Sequence, residues 1–203
     1  MKVCVVDYQL GNIFSVCQAL KYLSIDFELD TDGNSISKSK LLIIPGVAAI
    51  GAGVNNLKSS NQWERINNHF ANEKPILGLC LGAQMLLDSS EEDLEIRALG
   101  FIEGKSLKID SELWKVPNQG WNKVYINQNS ELVEFDQQYF YFSHSFQMEP
   151  KDSSLITGRI SMGDKSIPAI VQHHNLIGVQ FHPERSGILG LNFLKKCLSE
   201  LYP

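Results

Sequence analysis

Five residues, Gly78-Leu79-Cys80-Leu81-Gly82, constrain this chain more than any other stretch. They end a short apolar run from Ile76, entered through Pro75, and they lead into the apolar Met85-Leu86-Leu87. A buried strand therefore turns into a helix at this point. A cysteine between two glycines at such a corner reads as a nucleophile elbow with sulfur in the serine position. The turn is too tight for side chains on both flanks, and it holds the thiol out at the top of a sheet. The helix start adds an N-terminal dipole and unpaired backbone N–H groups, which favour a thiolate and receive an oxyanion. The competing reading is a core cysteine, and Cys4, Cys17 and Cys197 keep it: the four cysteines lack the paired short spacings of a zinc site or a redox dithiol. The elbow by itself leaves the substrate open.

The strand before the elbow has companions. Lys2 to Asp7 and Leu41 to Ile44 are short apolar runs, as expected of strands buried on both faces of a parallel sheet. Ile13, Val16, Cys17, Leu20 and Leu23 recur at helical spacing with Asn12 as N-cap, and Asn61 to Ala71 reads as an amphipathic helix. In the second half, segments 101–109, 121–126, 139–146, 167–171 and 176–181 are strand-like and separated by short polar turns, which predicts antiparallel pairing; Leu189 to Leu198 closes the chain as a helix. The fold class is α/β in three layers: a mixed, mostly parallel central sheet with helices on both faces and antiparallel strands in the second half. No repeat or long linker divides the 203 residues, so 1–203 is expected to be one domain.

Composition removes several classes of function. A formal net charge of −5 and the lack of any lysine-arginine run argue against nucleic acid. The N-terminal apolar run is far too short for a signal peptide or a membrane span, which predicts a cytoplasmic protein without membrane contact. Gly51-Ala-Gly53 lacks the strand-to-helix setting of a phosphate loop, so neither metal nor cofactor is expected. Glu91-Glu92-Asp93 reads as a solvated loop.

A cysteine nucleophile needs a base. Of five histidines, His69 reads as a surface residue of a polar helix and His173-His174 as a solvated turn. His182 ends the apolar run from Leu176, where a sheet delivers catalytic groups, and is followed by Pro183-Glu184. Residues two apart in an extended segment share a side, roughly 6.5 to 7 Å apart, so Glu184 reaches the His182 ring. A carboxylate on one ring nitrogen fixes the tautomer that leaves the other free for the thiol proton. The reading is a Cys80-His182-Glu184 triad.

Gly-Leu-Cys-Leu-Gly-Ala-Gln84 and Val-Gln-Phe-His-Pro-Glu184 resemble the class I (triad) glutamine amidotransferases. Asp7-Tyr8, Gly11-Asn12, Pro45-Gly46-Val47, Gly120-Trp121-Asn122 and the aromatic run before His144-Ser145 extend the resemblance over nearly the whole chain, toward the glutaminase subunits of imidazole glycerol phosphate synthases. The resemblance implies that Cys80 attacks the glutamine carboxamide, that His182 relays the proton, and that the N–H groups of Val47 and Leu81 form the oxyanion hole. It implies further that Gln84, Gly46 and the backbone strip Ser143-His144-Ser145 hold substrate. It also implies a heterodimer with a (β/α)8-barrel synthase, which takes the ammonia to make imidazole glycerol phosphate and AICAR in histidine biosynthesis.

Some positions depart from that pattern. Phe14 stands where arginine is common, Ala83 where methionine is usual, Asn118-Gln119 where His-Met precedes Gly-Trp, and Ser143 where valine is usual. These are expected near the face toward the synthase. Ala48 replaces a second glycine after Pro-Gly-Val and restricts the backbone there, because alanine resists positive φ. The departures leave open a paralogue that supplies ammonia to a nucleotide-sugar amidotransferase in surface polysaccharide synthesis.

Overall fold

The computed structural model describes residues 2–112 and 114–202. The apolar runs become strands β1 (Val3–Val6), β2 (Phe27–Asp30), β3 (Leu41–Ile44) and β4 (Ile76–Leu79). After the elbow come β5 (Ser89–Ser90), β6 (Asp93–Arg97), β7 (Gly104–Lys108), β8 (Asn118–Ile126), β9 (Gln138–His144), β10 (Phe146–Pro150), β11 (Ile156–Met162), β12 (Lys165–His173) and β13 (Leu176–Val179). The helices are α1 (Ile13–Tyr22), α2 (Asn34–Lys38), α3 (Ile50–Ser59), α4 (Gln62–Ala71), α5 (Leu81–Met85) and α6 (Gly187–Leu201).

Nine strands form one sheet in the order β2-β1-β3-β4-β13-β12-β11-β8-β9, parallel from β2 through β13 and antiparallel from β13 to β9. The α/β class and the mixed sheet agree with the sequence reading. A smaller sheet, β10-β7-β5-β6, sits beside it. Strand alternation sorts the core into two sides. Val3, Val5, Leu77, Leu79 and Val179 join the α1 and α6 residues Leu20, Phe193 and Leu194, whereas Cys4, Val6, Leu42 and Ile44 join Ile36, Val54, Leu57 and Ile66 from α2, α3 and α4. Two apolar faces explain why β1, β3, β4 and β13 read as unbroken hydrophobic runs. Phe193 anchors α6 through edge-to-face contacts with Phe135, Phe140 and Phe181. Its loss to alanine would cost about 3 to 5 kcal/mol and loosen the floor beneath His182. Among the described residues no helix is long and apolar enough to cross a membrane.

Asn12 caps α1 as expected, accepting from the Ser15 N–H at 3.4 Å. Other expectations need correction. The strand predicted over 139–146 is two strands, because β9 ends at His144 and β10 leaves for the smaller sheet at Phe146. Segment 101–109 contributes only Gly104–Lys108. Strands β2, β6 and β11 and helix α3 were not anticipated; β2 has two exposed residues among its four, so it lacks an apolar run. His69 is buried, not a surface residue: its Nε2 meets the Pro75 carbonyl at 3.1 Å, and desolvation lowers its pKa to about 4. Ala83 is fully buried against the glycines of β4 and β13, so this departure lies in the core and not on a docking face.

Candidate active site

The elbow forms where β4 meets α5. Cys80 takes φ 50° and ψ −105°, a strained backbone that costs a non-glycine residue about 1 to 3 kcal/mol and persists only where neighbours enforce it. Here the Cys80 N–H donates to the Val179 carbonyl at 2.8 Å and the Cys80 carbonyl accepts from the Gln84 N–H at 3.1 Å. The glycines have steric reasons. A methyl at Gly78 would lie 2.8 Å from the Ala83 backbone, and one at Gly82 would sink into the Ile44 carbonyl. Since α5 is only five residues long, it contributes its first-turn N–H groups more than a long macrodipole.

The Pro45-Gly46-Val47 segment runs beside the elbow. Its glycine is required because the Tyr8 hydroxyl and the Leu81 side chain fill the space where a Cβ would stand, and that hydroxyl donates to the Pro45 carbonyl. Val47 is about half exposed at the rim. The Leu81 N–H donates to the Gly46 carbonyl at 3.3 Å, so one of the two expected oxyanion donors is engaged within the chain.

His182 arrives from the far side of the elbow, after β13. Its N–H donates to the Tyr141 carbonyl at 2.8 Å, and its carbonyl accepts from the Ser186 hydroxyl at 2.7 Å. Residues Pro183–Arg185 form a 3₁₀ turn, so Glu184 reaches the ring through this turn and not through the extended alternation expected from the sequence. The Glu184 carboxylate meets His182 Nδ1 at 2.9 Å, and both side chains are about 2% exposed. Burial alone would lower the imidazole pKa. Its interactions with Cys80 and with the Glu184 carboxylate outweigh that and raise it to about 10. Among the described residues His182 Nε2 has no hydrogen-bond partner; the thiol instead donates weakly to the Ser143 carbonyl at 3.9 Å.

Cys80 opens into a cavity of about 240 Å³. Val47, Leu81, Gln84, Ser143, His144 and Ser145 all line it, which brings together the sequence-derived candidates except Gly46, His182 and Glu184, none of which is among its lining residues. His144 is fixed as a neutral ring. Nδ1–H donates to the Phe146 carbonyl at 2.8 Å, Nε2 accepts from the Asn118 amide at 2.9 Å, and burial beside His182 lowers its pKa to about 4. Gln84 spends its NH₂ on the Phe146 carbonyl at 2.8 Å and on Gln180 Oε1 at 3.2 Å, leaving its own oxygen as the acceptor for a ligand.

Sequence reasoning missed Glu92, which lines the same cavity and accepts from the Ile50 N–H at the start of α3 at 2.8 Å. It is exposed at the mouth, so it is more than a solvated loop residue, and nothing in its acidic surroundings singled it out. Gln180 was noticed only as part of a motif.

An elbow cysteine, a carboxylate-bound histidine and a cleft at the carboxyl ends of parallel strands are the layout of an enzyme that transfers acyl groups through sulfur. The family model for class-I glutamine amidotransferases matches residues 4–200, and the chain belongs to this family. Among curated relatives, the imidazole glycerol phosphate synthase subunit HisH of Lactococcus lactis is 38% identical over 202 residues, covering 98% of this chain and 99% of that protein. The subunit of the same name from Shouchella clausii is 36% identical over 198 residues, covering 95% of each. Solved structures confirm the fold at lower identity. A glutamine amidotransferase crystal structure superposes with TM-score 0.76 at 18% identity over 96% of this chain and 98% of its own. PurLQS from Thermotoga maritima gives 0.74 at 20%, covering 98% of both.

Proposed function

We propose that the chain is the glutaminase subunit of imidazole glycerol phosphate synthase, hydrolysing glutamine through Cys80, His182 and Glu184. The observation that carries the chemistry is the buried pair of His182 Nδ1 and Glu184 at 2.9 Å, set behind an elbow cysteine that faces a cleft of amino-acid size. An imidazolium held by a carboxylate is the partner a thiolate needs. The thiolate adds to the carboxamide carbon, and the negative oxygen is received by the N–H groups of Leu81 and Val47. The Leu81 N–H must first release the Gly46 carbonyl. His182 Nε2–H then protonates the departing nitrogen, and ammonia leaves. Water, deprotonated by the now neutral His182, attacks the glutamyl thioester; glutamate leaves, and the sulfur returns as thiolate. Glu184 keeps the ring turned throughout. Glu92 and the Gln84 oxygen are placed to take the substrate α-ammonium, and the Ser143-His144-Ser145 backbone lines the side-chain path.

Ammonia released into water near neutral pH would be mostly protonated and lost as a nucleophile. A (β/α)8-barrel synthase docked over the cleft in a heterodimer meets that need. Relatives named for imidazole glycerol phosphate synthase at 36 to 38% identity over nearly the full chain favour this acceptor over a nucleotide-sugar amidotransferase. The test is Cys80→Ala in the complex. Glutamine-dependent synthesis disappears while synthesis from ammonium salts persists; loss of both would overturn the division of labour. Rescue of a histidine auxotroph lacking this subunit, on ammonia-poor medium, checks the acceptor.

A further inference from the structure

Gln180 is a buried polar side chain beside Cys80 to which the proposed hydrolysis assigns no role. It is completely buried, in the segment between β13 and His182, and its backbone N–H donates to the Ala169 carbonyl at 2.9 Å. Its amide meets two side chains. Oε1 accepts from Gln84 Nε2 at 3.2 Å, and Nε2 faces Cys80 Sγ at 3.8 Å.

The orientation of this amide follows from a one-way chain of hydrogen bonds. The Phe146 carbonyl can only accept, so the nearby end of the Gln84 amide, at 2.8 Å, must be its NH₂. That same NH₂ points at Gln180, which must therefore present its oxygen. Gln180 Oε1 is thereby fixed toward Gln84, and the Gln180 N–H groups are fixed toward the sulfur. A flipped amide would oppose two NH₂ groups and leave buried donors unsatisfied, at a cost of about 1 to 3 kcal/mol each. We infer that Gln180 is a further catalytic residue: its amide N–H donates to the Cys80 thiolate, and its oxygen ties that donor to the Gln84 amide in the substrate cleft. This rests on Cys80 being the nucleophile. A hydrogen bond to an ionised acceptor is about twice as strong as a neutral one, so the N–H stabilises the thiolate more than the thiol. The two-amide relay also holds the sulfur in register with the residue that meets the substrate, so displacing either amide disturbs both.

Two variants separate donor from packing. Gln180→Met keeps the length and burial and removes the N–H; Gln180→Leu removes it with a shorter, branched side chain. In the complex with the synthase, both are expected to lower glutaminase kcat/KM at neutral pH about tenfold, mainly through kcat, the scale of one charge-assisted hydrogen bond. In both, the pH midpoint of Cys80 alkylation by iodoacetamide, read by peptide mass spectrometry, moves upward by about one unit. A merely structural glutamine would leave that midpoint in place. A third measurement needs no variant: the Gln180 side-chain amide protons shift in NMR spectra when Cys80 of the unaltered chain is alkylated. Folded variants with unchanged kcat/KM and midpoint, or amide protons indifferent to alkylation, would overturn this inference alone. An unaltered complex that releases no ammonia from glutamine would remove the nucleophile reading and this inference with it.

Discussion

Replacing Glu184 by glutamine removes a charge from behind His182 while keeping the shape and an oxygen for Nδ1–H. At 2.9 Å and an effective dielectric of 20, the attraction between carboxylate and imidazolium is about 6 kcal/mol, equivalent to roughly four pKa units. Burial of the ring works against this, and Cys80 shares the stabilisation, with a net rise from 6.5 to about 10. Loss of the carboxylate charge should therefore bring the His182 titration down by roughly two to four units. Imidazole ¹⁵N chemical shifts against pH read this directly. Because the folded-state pKa is raised, the contribution to stability is complete below pH 6.5 and is lost as pH rises through about 10. Glu184→Gln should thus be less stable than the unaltered chain by about 3 kcal/mol at pH 6 in urea unfolding, with the gap closed above pH 10. Glutaminase kcat/KM in the complex should fall roughly 100-fold or more at neutral pH. A His182 titration that moves by less than half a unit would refute the reasoning, since some other group would then be holding the proton.

Gly82→Ala drives a methyl into the Ile44 carbonyl and should cost about 3 kcal/mol or more of stability in urea unfolding, with activity lost even where the chain still folds. Glu92→Gln should raise KM for glutamine about tenfold with kcat nearly unchanged, the signature of lost ground-state binding. His69 and His144 have folded-state pKa values lowered to about 4, so the unfolded chain takes up protons first as pH falls, and stability is lost between pH 6.5 and about 4. His69→Gln should flatten that loss in urea midpoints collected across the same range.

The elbow was legible because glycines flank the cysteine where crowding admits no side chain, and the contact of Glu184 with His182 because the two lie two residues apart. Even so, the path between them was misread, since Pro183–Arg185 coils into a 3₁₀ turn. The parallel half of the sheet was legible because burial on both faces leaves no polar residues in its central strands. Helix α4 was anticipated as an amphipathic helix, but His69 was misread as a surface residue because the inward face of that helix is built partly from polar groups. Gln62, Ile66 and His69 are buried there, and Gln62 donates to the Asp30 carboxylate at 2.9 Å. That carboxylate also accepts from the N–H groups of Gly33, Ser35 and Ile36 at 2.7, 2.7 and 3.1 Å. A hydropathy pattern cannot distinguish such satisfied polar groups from solvated ones. Glu92 escaped for the opposite reason: it looks like any surface acid until α3 and the cleft are assembled around it.

The last strand among the described residues, β13, is inserted at the middle of the large sheet, with β4 on one side and β12 on the other. A nascent polypeptide that has not yet delivered Leu176–Val179 consequently has two sheet halves with nothing to join them. The Val179 carbonyl that steadies the backbone of Cys80 is also missing at that stage. Cys80 is therefore set in its strained pose only once Leu176–Val179 has been delivered, so the joining of the two sheet halves and the fixing of the elbow are one late event.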